Sequence, residues 1–532
     1  MRSSIGNVNT EEVPGAATSA ARWRTAFWVS WTVVQLAKIA LAASLAPFGD
    51  EAWYWQESRH VAWGYSDLPP ATAWLIAVGE FIGGHGVLAM RAAFLLLGAL
   101  LPFLLVRIGR RVFDERAGWC AGLLALALPL LSTLGIFALP DVPLTFASAL
   151  ALDAFERSAR ERRLRDWSVL GVALGLAWLC HYRAAMLMLT GLAFLVVTPR
   201  GRTLWREPGL WIALGLALLG VVPILLFNAT HDWVALGFQL VERNPWSFHA
   251  DGLLQPLEQA IVNTPLFYVL MLYAAWYCLR RRDRGAPYDL LAVCALLPIV
   301  VYFVAGCFAD DTRFRVHWPL PGYLPLLLLL PLLLSRATSA LQRFGRLATL
   351  AVLLLGNTLA FAYLAMTAAG GAATLAGLKA FPEHFVGWRE AAAQTSALLM
   401  RPGHAQSLLV ADNFMLAAEL DFALDGARAV FVLDHPINAK HGRAPQLALW
   451  QRDESALNRR SGESVLLVIE PTARRERERA AWLASVCSRV AGLQSVGALD
   501  LYERRKRYRW FDGVAGALDS AAAPADCAAV AQ

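Results

Sequence analysis

The 532-residue chain predicts a polytopic α-helical membrane protein with a small α/β domain at its C-terminal end. Three observations carry this. The composition is 57% hydrophobic and 17% charged, with mean hydropathy +0.46, whereas a soluble domain is about a quarter charged. The apolar residues are clustered in runs of about 18 to 25, such as Val87 to Val106, Leu210 to Phe227 and Leu347 to Ala368, which cross about 30 Å of hydrocarbon as helices with every backbone group satisfied. From about residue 380 the composition becomes that of a soluble domain.

The order of elements follows from these runs. Residues 1–22 form a cytoplasmic N-terminal arm and 23–370 the transmembrane unit. The first run, Trp23 to Pro47, ends ALAASLAPFG, a small-residue pattern of the signal-peptidase kind. It is longer than the usual signal core of about 7 to 15 residues, so a retained helix is expected. Apolar segments then fall near 85–107, 117–135, 139–156, 167–181, 184–198, 209–228, 258–279, 288–307, 317–335 and 347–368, for about eleven helices in all. The stretch 167–198 is split at HYR, because one helix through it would run about 48 Å, too long for the bilayer without strong tilt.

Alternate loops differ in charge. Those beginning at Arg107, Arg157, Pro199, Arg280 and Ser335 are short and basic and are expected in the cytoplasm. The others, Gly49 to Pro70, Leu139 to Pro143, His181 to Arg183, Asn228 to Leu257 and Phe308 to Trp318, hold acids, aromatics and histidines, and parity puts them on the far side with everything after residue 368. The net charge of +7 is thus a topology signal and not a nucleic-acid footprint.

In the domain at 380–510, SLLVADN, AVFVLD and SVLLVIE read as short buried strands. The helical patterns FMLAAELDFAL and PTARRERERAAWLASVCSRVAGL lie after the first and third of them, which predicts a partly parallel sheet. The tail, 511–532, is expected to be disordered. The seven cysteines fit no metal spacing, and a disulfide between Cys487 and Cys527 is one possibility.

Three constellations carry chemistry. In GDEAWYW, followed by HVAWGYSDLPP, the carboxylates of Asp50 and Glu51 stand at a membrane surface. An ionised acid costs roughly 2.5 to 3.5 kcal/mol at the bilayer centre, so acids at a helix end mark a site more often than not. They can supply a general base, or oxygens for a divalent metal, no metal or other cofactor being certain. The plain alternative is a capped juxtamembrane helix. In LPDVP, Asp141 precedes Pro143 at a helix start and lies on the same side as Asp50, though a simple cap explains it equally well. The third set is cationic: Arg183 in CHYRAA, Arg243 and His249 in VERNPWSFHAD, and Arg313, Arg315 and His317 in DDTRFRVHWPLPGY. Positive residues are disfavoured on this side, and capture of phosphate by bidentate arginine supplies a reason for them. Pairing with Asp310, Asp311 and Glu242 is the alternative. Zinc, P-loop and dinucleotide fingerprints are absent from the sequence.

DEAWYW (50–55), GYSDLPP (64–70), LPDVPL (139–144), FNATHDW (227–233) and HWPLPGY (317–323) together resemble the motifs of the bacterial GT-C membrane glycosyltransferases, in the superfamily of protein O-mannosyltransferases and aminoarabinose (lipid A) transferases. The resemblance covers most of the chain. It implies a polyprenyl-phosphate sugar donor, inversion at the anomeric carbon, and a periplasmic acceptor such as lipid A, another envelope glycolipid or a protein. It also implies an enzyme of the bacterial inner membrane whose site and C-terminal domain face the periplasm. Asp50 matches the family's catalytic acid and Asp141 its second acid, with Glu51 a secondary candidate. Arg183, Arg315 and His317 become candidates for the lipid phosphate, with Tyr54, Tyr65, Asp67, His181, Arg243 and Arg313 as further substrate-binding positions. One departure stands out: before the paired prolines relatives commonly carry His or Lys, and this chain has Leu68. The competing readings are a lipid-linked sugar flippase or transporter and a non-catalytic envelope-binding protein.

Overall fold

The computed structural model describes residues 14–243, 246–308 and 316–516. Among these, each apolar segment of the sequence is helical. The helices used below are α1 (Pro14–Ser44), α2 (Gly49–Arg59), α3 (Ala71–Gly83), α4 (Val87–Val112), α5 (Glu115–Ala127), α6 (Asp141–Glu161), α7 (Leu164–Cys180) and α8 (Ala184–Val197). Pro208–Leu219, Val222–Thr230, Pro265–Arg281, Tyr288–Gly306, Leu320–Ser335 and Ala340–Ala368 follow. Among the described residues five helices are long and apolar enough to span a membrane alone, or up to seven if two sharply bent pairs each count as one span. The chain is a multi-pass membrane protein. α7 and α8 are separate, as the HYR break requires, with His181 in extended backbone between them.

The segment before Pro70, expected on the far side, is not a plain loop. Gly49–Arg59 is a buried helix, with nine of its residues shielded from solvent, and Ala71–Gly83 is a second helix that the hydropathy pattern did not announce. Opposite charges gather at the other end of α6: Asp153 and Glu156 meet Arg107, Arg111, Arg157 and Arg160. α6 therefore carries Asp141 at one end and the paired basic loops at the other, about 20 Å apart.

The C-terminal domain holds a five-stranded mixed sheet. β1 (Leu408–Ala411), β2 (Val430–Val432) and β3 (Ser464–Ile469) are parallel, in the order β2-β1-β3, and β4 (Val490–Leu501) and β5 (Lys506–Ala515) complete the order β3-β5-β4 as an antiparallel hairpin. Leu409↔Val430 and Leu409↔Leu466 fix the parallel register, and Leu467↔Phe511 the antiparallel one. The three parallel strands read as continuous apolar runs because both faces are covered. Leu409, Ala411, Leu466 and Val468 face one core, and Val410, Leu467 and Ile469 face another with Trp482 and Val486. β5 extends to Ala515, so residues 511–515 are strand where a disordered tail was expected; 517–532 lie outside the described residues. Cys487 is disulfide-bonded, and Cys527 also lies outside the described residues.

The first of these cores is shared with the membrane unit. Ala52, Trp53, Tyr54 and Trp55 of α2 pack in it with Phe414, Ala417 and Phe422 of α9 (Phe414–Ala423). Trp53 meets Phe414 at 5.4 Å between ring centroids and Trp55 meets Phe422 at 5.2 Å. Gln56 Nε2 donates to Asp421 Oδ2 at 2.7 Å across the same contact.

Candidate active site

A cavity of about 300 Å³ lies where α2, α6 and α8 begin and where the C-terminal domain reaches back to them. Asp50, Tyr54, Asp67, Asp141, His181, Arg183, Arg243 and His317 all line it, although up to 267 residues of sequence separate them. Asp50 and Asp141 occupy first helical turns, where the helix dipole favours an anion. Arg183, at the N-cap of α8, pairs with Asp141, and His317 Nε2 stands 3.4 Å from the same carboxylate. Arg243 is oriented by Gln239, whose Oε1 accepts from Nη1 at 2.8 Å and whose Nε2 donates to the Asp67 carbonyl at 2.6 Å.

Asp50 and Asp67 share one partner that sequence reasoning missed. Arg443 Nη2 is 3.2 Å from Asp50 Oδ1, and its Nη1 is 2.9 Å from Asp67 Oδ2. Burial alone would weaken this guanidinium, but Asp67, Tyr54 and Asp50 hold its pKa above the ordinary arginine value. Glu57 is buried beside Asp67 and accepts from Trp53 Nε1 at 2.8 Å. Burial, then the Asp67 charge, push its carboxyl well above the usual range. Lys440 and His441 line the same wall. The sequence signal for this wall was the short basic run KHGR, in a domain for which the sequence named no site residue.

Three of the sequence candidates, Glu51, Tyr65 and His249, are not among the residues that line the cavity. Glu51 is wholly buried away from the cavity, paired with Arg91 at 2.6 Å, and it accepts backbone hydrogen bonds from Phe48 (2.9 Å) and Ala138 (2.6 Å). Arg91 in turn donates to the carbonyls of Ala42, Leu45 and Ala46 at the end of α1. Glu51 therefore ties the start of α2 to the loop that carries Asp141. Tyr65 is also outside the cavity: its hydroxyl donates to the Glu57 carbonyl at 2.9 Å and closes the turn after α2. Arg313 and Arg315, with Asp310 and Asp311, lie outside the described residues.

A second cavity, of about 420 Å³ and apolar, follows the same helices into the membrane unit. It is lined by Ser148, Leu152 and Phe155 of α6, Leu187 to Leu192 of α8, and Pro321 and Pro325. The elements that present Asp141, Arg183 and His317 to the polar cavity thus form the apolar one a few turns farther on.

Comparisons with known proteins agree with this geometry. Residues 67–227 match the family model described as dolichyl-phosphate-mannose-protein mannosyltransferase. The chain is 26% identical over 387 residues to the lipid A galacturonosyltransferase RgtD of Rhizobium johnstonii, covering 71% of this chain and 78% of that protein. It is 28% identical over 348 residues to the undecaprenyl phosphate-alpha-4-amino-4-deoxy-L-arabinose arabinosyl transferase of Pseudomonas aeruginosa, covering 60% of this chain but only 58% of that protein. Its fold matches the crystal structure of ArnT from Cupriavidus metallidurans in the apo state, with TM-score 0.66 and 18% identity over 93% of this chain and 98% of that one. The same protein bound to undecaprenyl phosphate matches at TM-score 0.64 and 17% identity, covering 92% and 98%. The motifs, the relatives and the fold converge: residues 67–227 match the dolichyl-phosphate-mannose-protein mannosyltransferase model, and the chain is similar in sequence to lipid A glycosyltransferases and in fold to ArnT.

Proposed function

We propose that this chain is an inverting glycosyltransferase of the bacterial inner membrane. It moves a sugar from a polyprenyl-phosphate donor to lipid A or a related envelope glycolipid, with the cavity and the C-terminal domain facing the periplasm. The observation that carries the reading is the succession of two cavities along the same helices. A polar one, holding Asp50 and Asp141 with Arg183, Arg243 and His317, lies at the starts of α6 and α8, and an apolar one is lined by residues a turn or more farther along both. A lipid phosphate with a long apolar tail suits that succession, its head among the cations and part of its chain against α6 and α8.

The transfer is a displacement. The acceptor oxygen forms a bond to the anomeric carbon as the bond to the lipid phosphate oxygen breaks, and the phosphate leaves as an anion that Arg183, Arg243 and His317 stabilise. A hydroxyl acceptor gives its proton to Asp50; a phosphate acceptor has none to give, and Asp50 then orients it. Asp50 and Asp67 are met by Arg443 and Asp141 by Arg183, and among the described residues no group of three or more His, Cys, Asp or Glu is set to hold a metal ion. The acids thus have arginine partners, and the proposed displacement uses their charges directly.

A flippase would use charges near the bilayer midplane, whereas these acids gather at one end of the helices. The test is purified protein in vesicles with an undecaprenyl-phosphate sugar and lipid A. Glycosylated lipid A with inverted configuration is expected. Movement of the donor across the vesicle without transfer would favour the flippase.

A further inference from the structure

The guanidinium of Arg443 reaches the cavity from the C-terminal domain along a route that the chain has built for it. Gly442 takes φ +73°, which an L side chain adopts only with strain, and a Cβ there would come 2.6 Å from the ring of Phe238. The Gly442 carbonyl accepts from Ser66 Oγ at 2.5 Å, and Gln446 Oε1 accepts from the Ser66 backbone N–H at 2.9 Å. The turn is therefore latched to the residue next to Asp67. Arg443 itself is 3% exposed, and its guanidinium carbon stands 5.0 to 5.2 Å from the ring centroids of Trp53, Tyr54 and Phe414. Burying a charge costs several kcal/mol unless it is well paired. Here the pairing goes to two carboxylates of the cavity, Asp50 and Asp67, and not to groups of the domain's own core.

A planar, forked cation can hold two carboxylates at a set separation, which a single ammonium cannot do. We infer that Arg443 is a positioning residue for the transfer reaction, supplied by the C-terminal domain to fix Asp50 and Asp67 in the cavity. The inference rests on the transferase reading. It makes the C-terminal domain part of the active site and not an appended module. Its effect belongs to the chemical step, since a misplacement of about 1 Å in a reacting group can cost about 100-fold in rate.

The experiment measures transfer from an undecaprenyl-phosphate sugar by the full-length chain in vesicles, normalised to folded protein. Arg443→Ala is expected to lower kcat about 100-fold while the donor KM stays within about threefold. Arg443→Lys keeps the charge but loses the fork, and is expected to recover less than about a tenth of the wild-type kcat. Gln56→Ala removes a buried contact of the same docking surface that does not touch the cavity, and is expected to keep kcat within about threefold. Arg443→Ala with kcat within about threefold of wild type, or with only its KM raised, overturns the inference. So does a Gln56→Ala loss as large as that of Arg443→Ala, because docking alone would then explain it. A wild-type chain without transfer overturns the transferase reading and this role with it, whereas an active wild type beside an active Arg443→Ala overturns the role alone.

Discussion

Asp50 and Glu51 are neighbours in sequence, yet successive residues of a helix point about 100° apart, and the two carboxylates end in different surroundings. Asp50 is about a quarter exposed on the cavity wall, and Glu51 is sealed against Arg91. Their substitutions should therefore fail in different ways. Asp50→Asn should lower transfer by at least about 100-fold while the thermal unfolding of the solubilised protein stays that of wild type. Glu51→Ala strands the Arg91 charge and should cost about 3 to 5 kcal/mol of stability, seen as lost folded protein in fluorescence-detected gel filtration. An Asp50→Asn variant that transfers sugar at the wild-type rate would remove Asp50 from the mechanism. The adjacency that made DE conspicuous in the sequence hid this division of labour, since a motif lists residue types and not the faces they occupy. Leu68 is explained in part by the same site: the residue is buried and apolar, and Arg443 brings a cation to its neighbour Asp67 from another domain.

At the scale of elements, the parallel strands set a titrating group at the end of β1. Asp412 accepts from Asn413 Nδ2 at 2.7 Å and from the Glu470 N–H at 3.3 Å. Burial, then the Glu470 charge, raise its pKa from 3.8 to about 7. A raised carboxyl favours the protonated form in the fold, so the stability it contributes is complete below the unfolded value and is lost as pH rises through the folded one. The melting temperature should therefore fall as pH rises from about 4 towards 7 and level off above it, and Asp412→Asn should flatten that slope in a scanning fluorimetry series. Unbroken apolar runs made the membrane segments and β1 to β3 readable in advance. The β4–β5 hairpin was not readable: β4 alternates half-buried and exposed positions, and β5 begins in ERRKRYR, which resembles a solvated basic stretch. α2 and α3 were hidden for another reason. Their burial comes from the C-terminal domain and α4, neither of which a window of hydropathy can see.

At the scale of the whole molecule, the membrane unit and the C-terminal domain share one core through Trp53, Trp55, Phe414 and Phe422. Each of the two indoles buries area worth roughly 4 to 6 kcal/mol. A chain ending near residue 380 would expose them at the membrane surface. It is expected to aggregate on gel filtration after solubilisation, whereas a merely appended domain would leave a monodisperse membrane unit behind. The eight cavity residues anticipated from the sequence came from motifs within the membrane unit. The residue that joins two of their acids was out of reach because it belongs to the other unit, where a short basic run alone marks it and reads as a solvated surface stretch.

The pairing of Asp50 with Arg443 also has a consequence for biosynthesis. The two residues stand 393 positions apart, so the cavity is finished only after the chain has been made as far as the turn that carries Arg443. A nascent chain with every apolar helix in place still lacks the guanidinium that organises its acids, and the protein becomes competent only once its final domain has folded back onto the first.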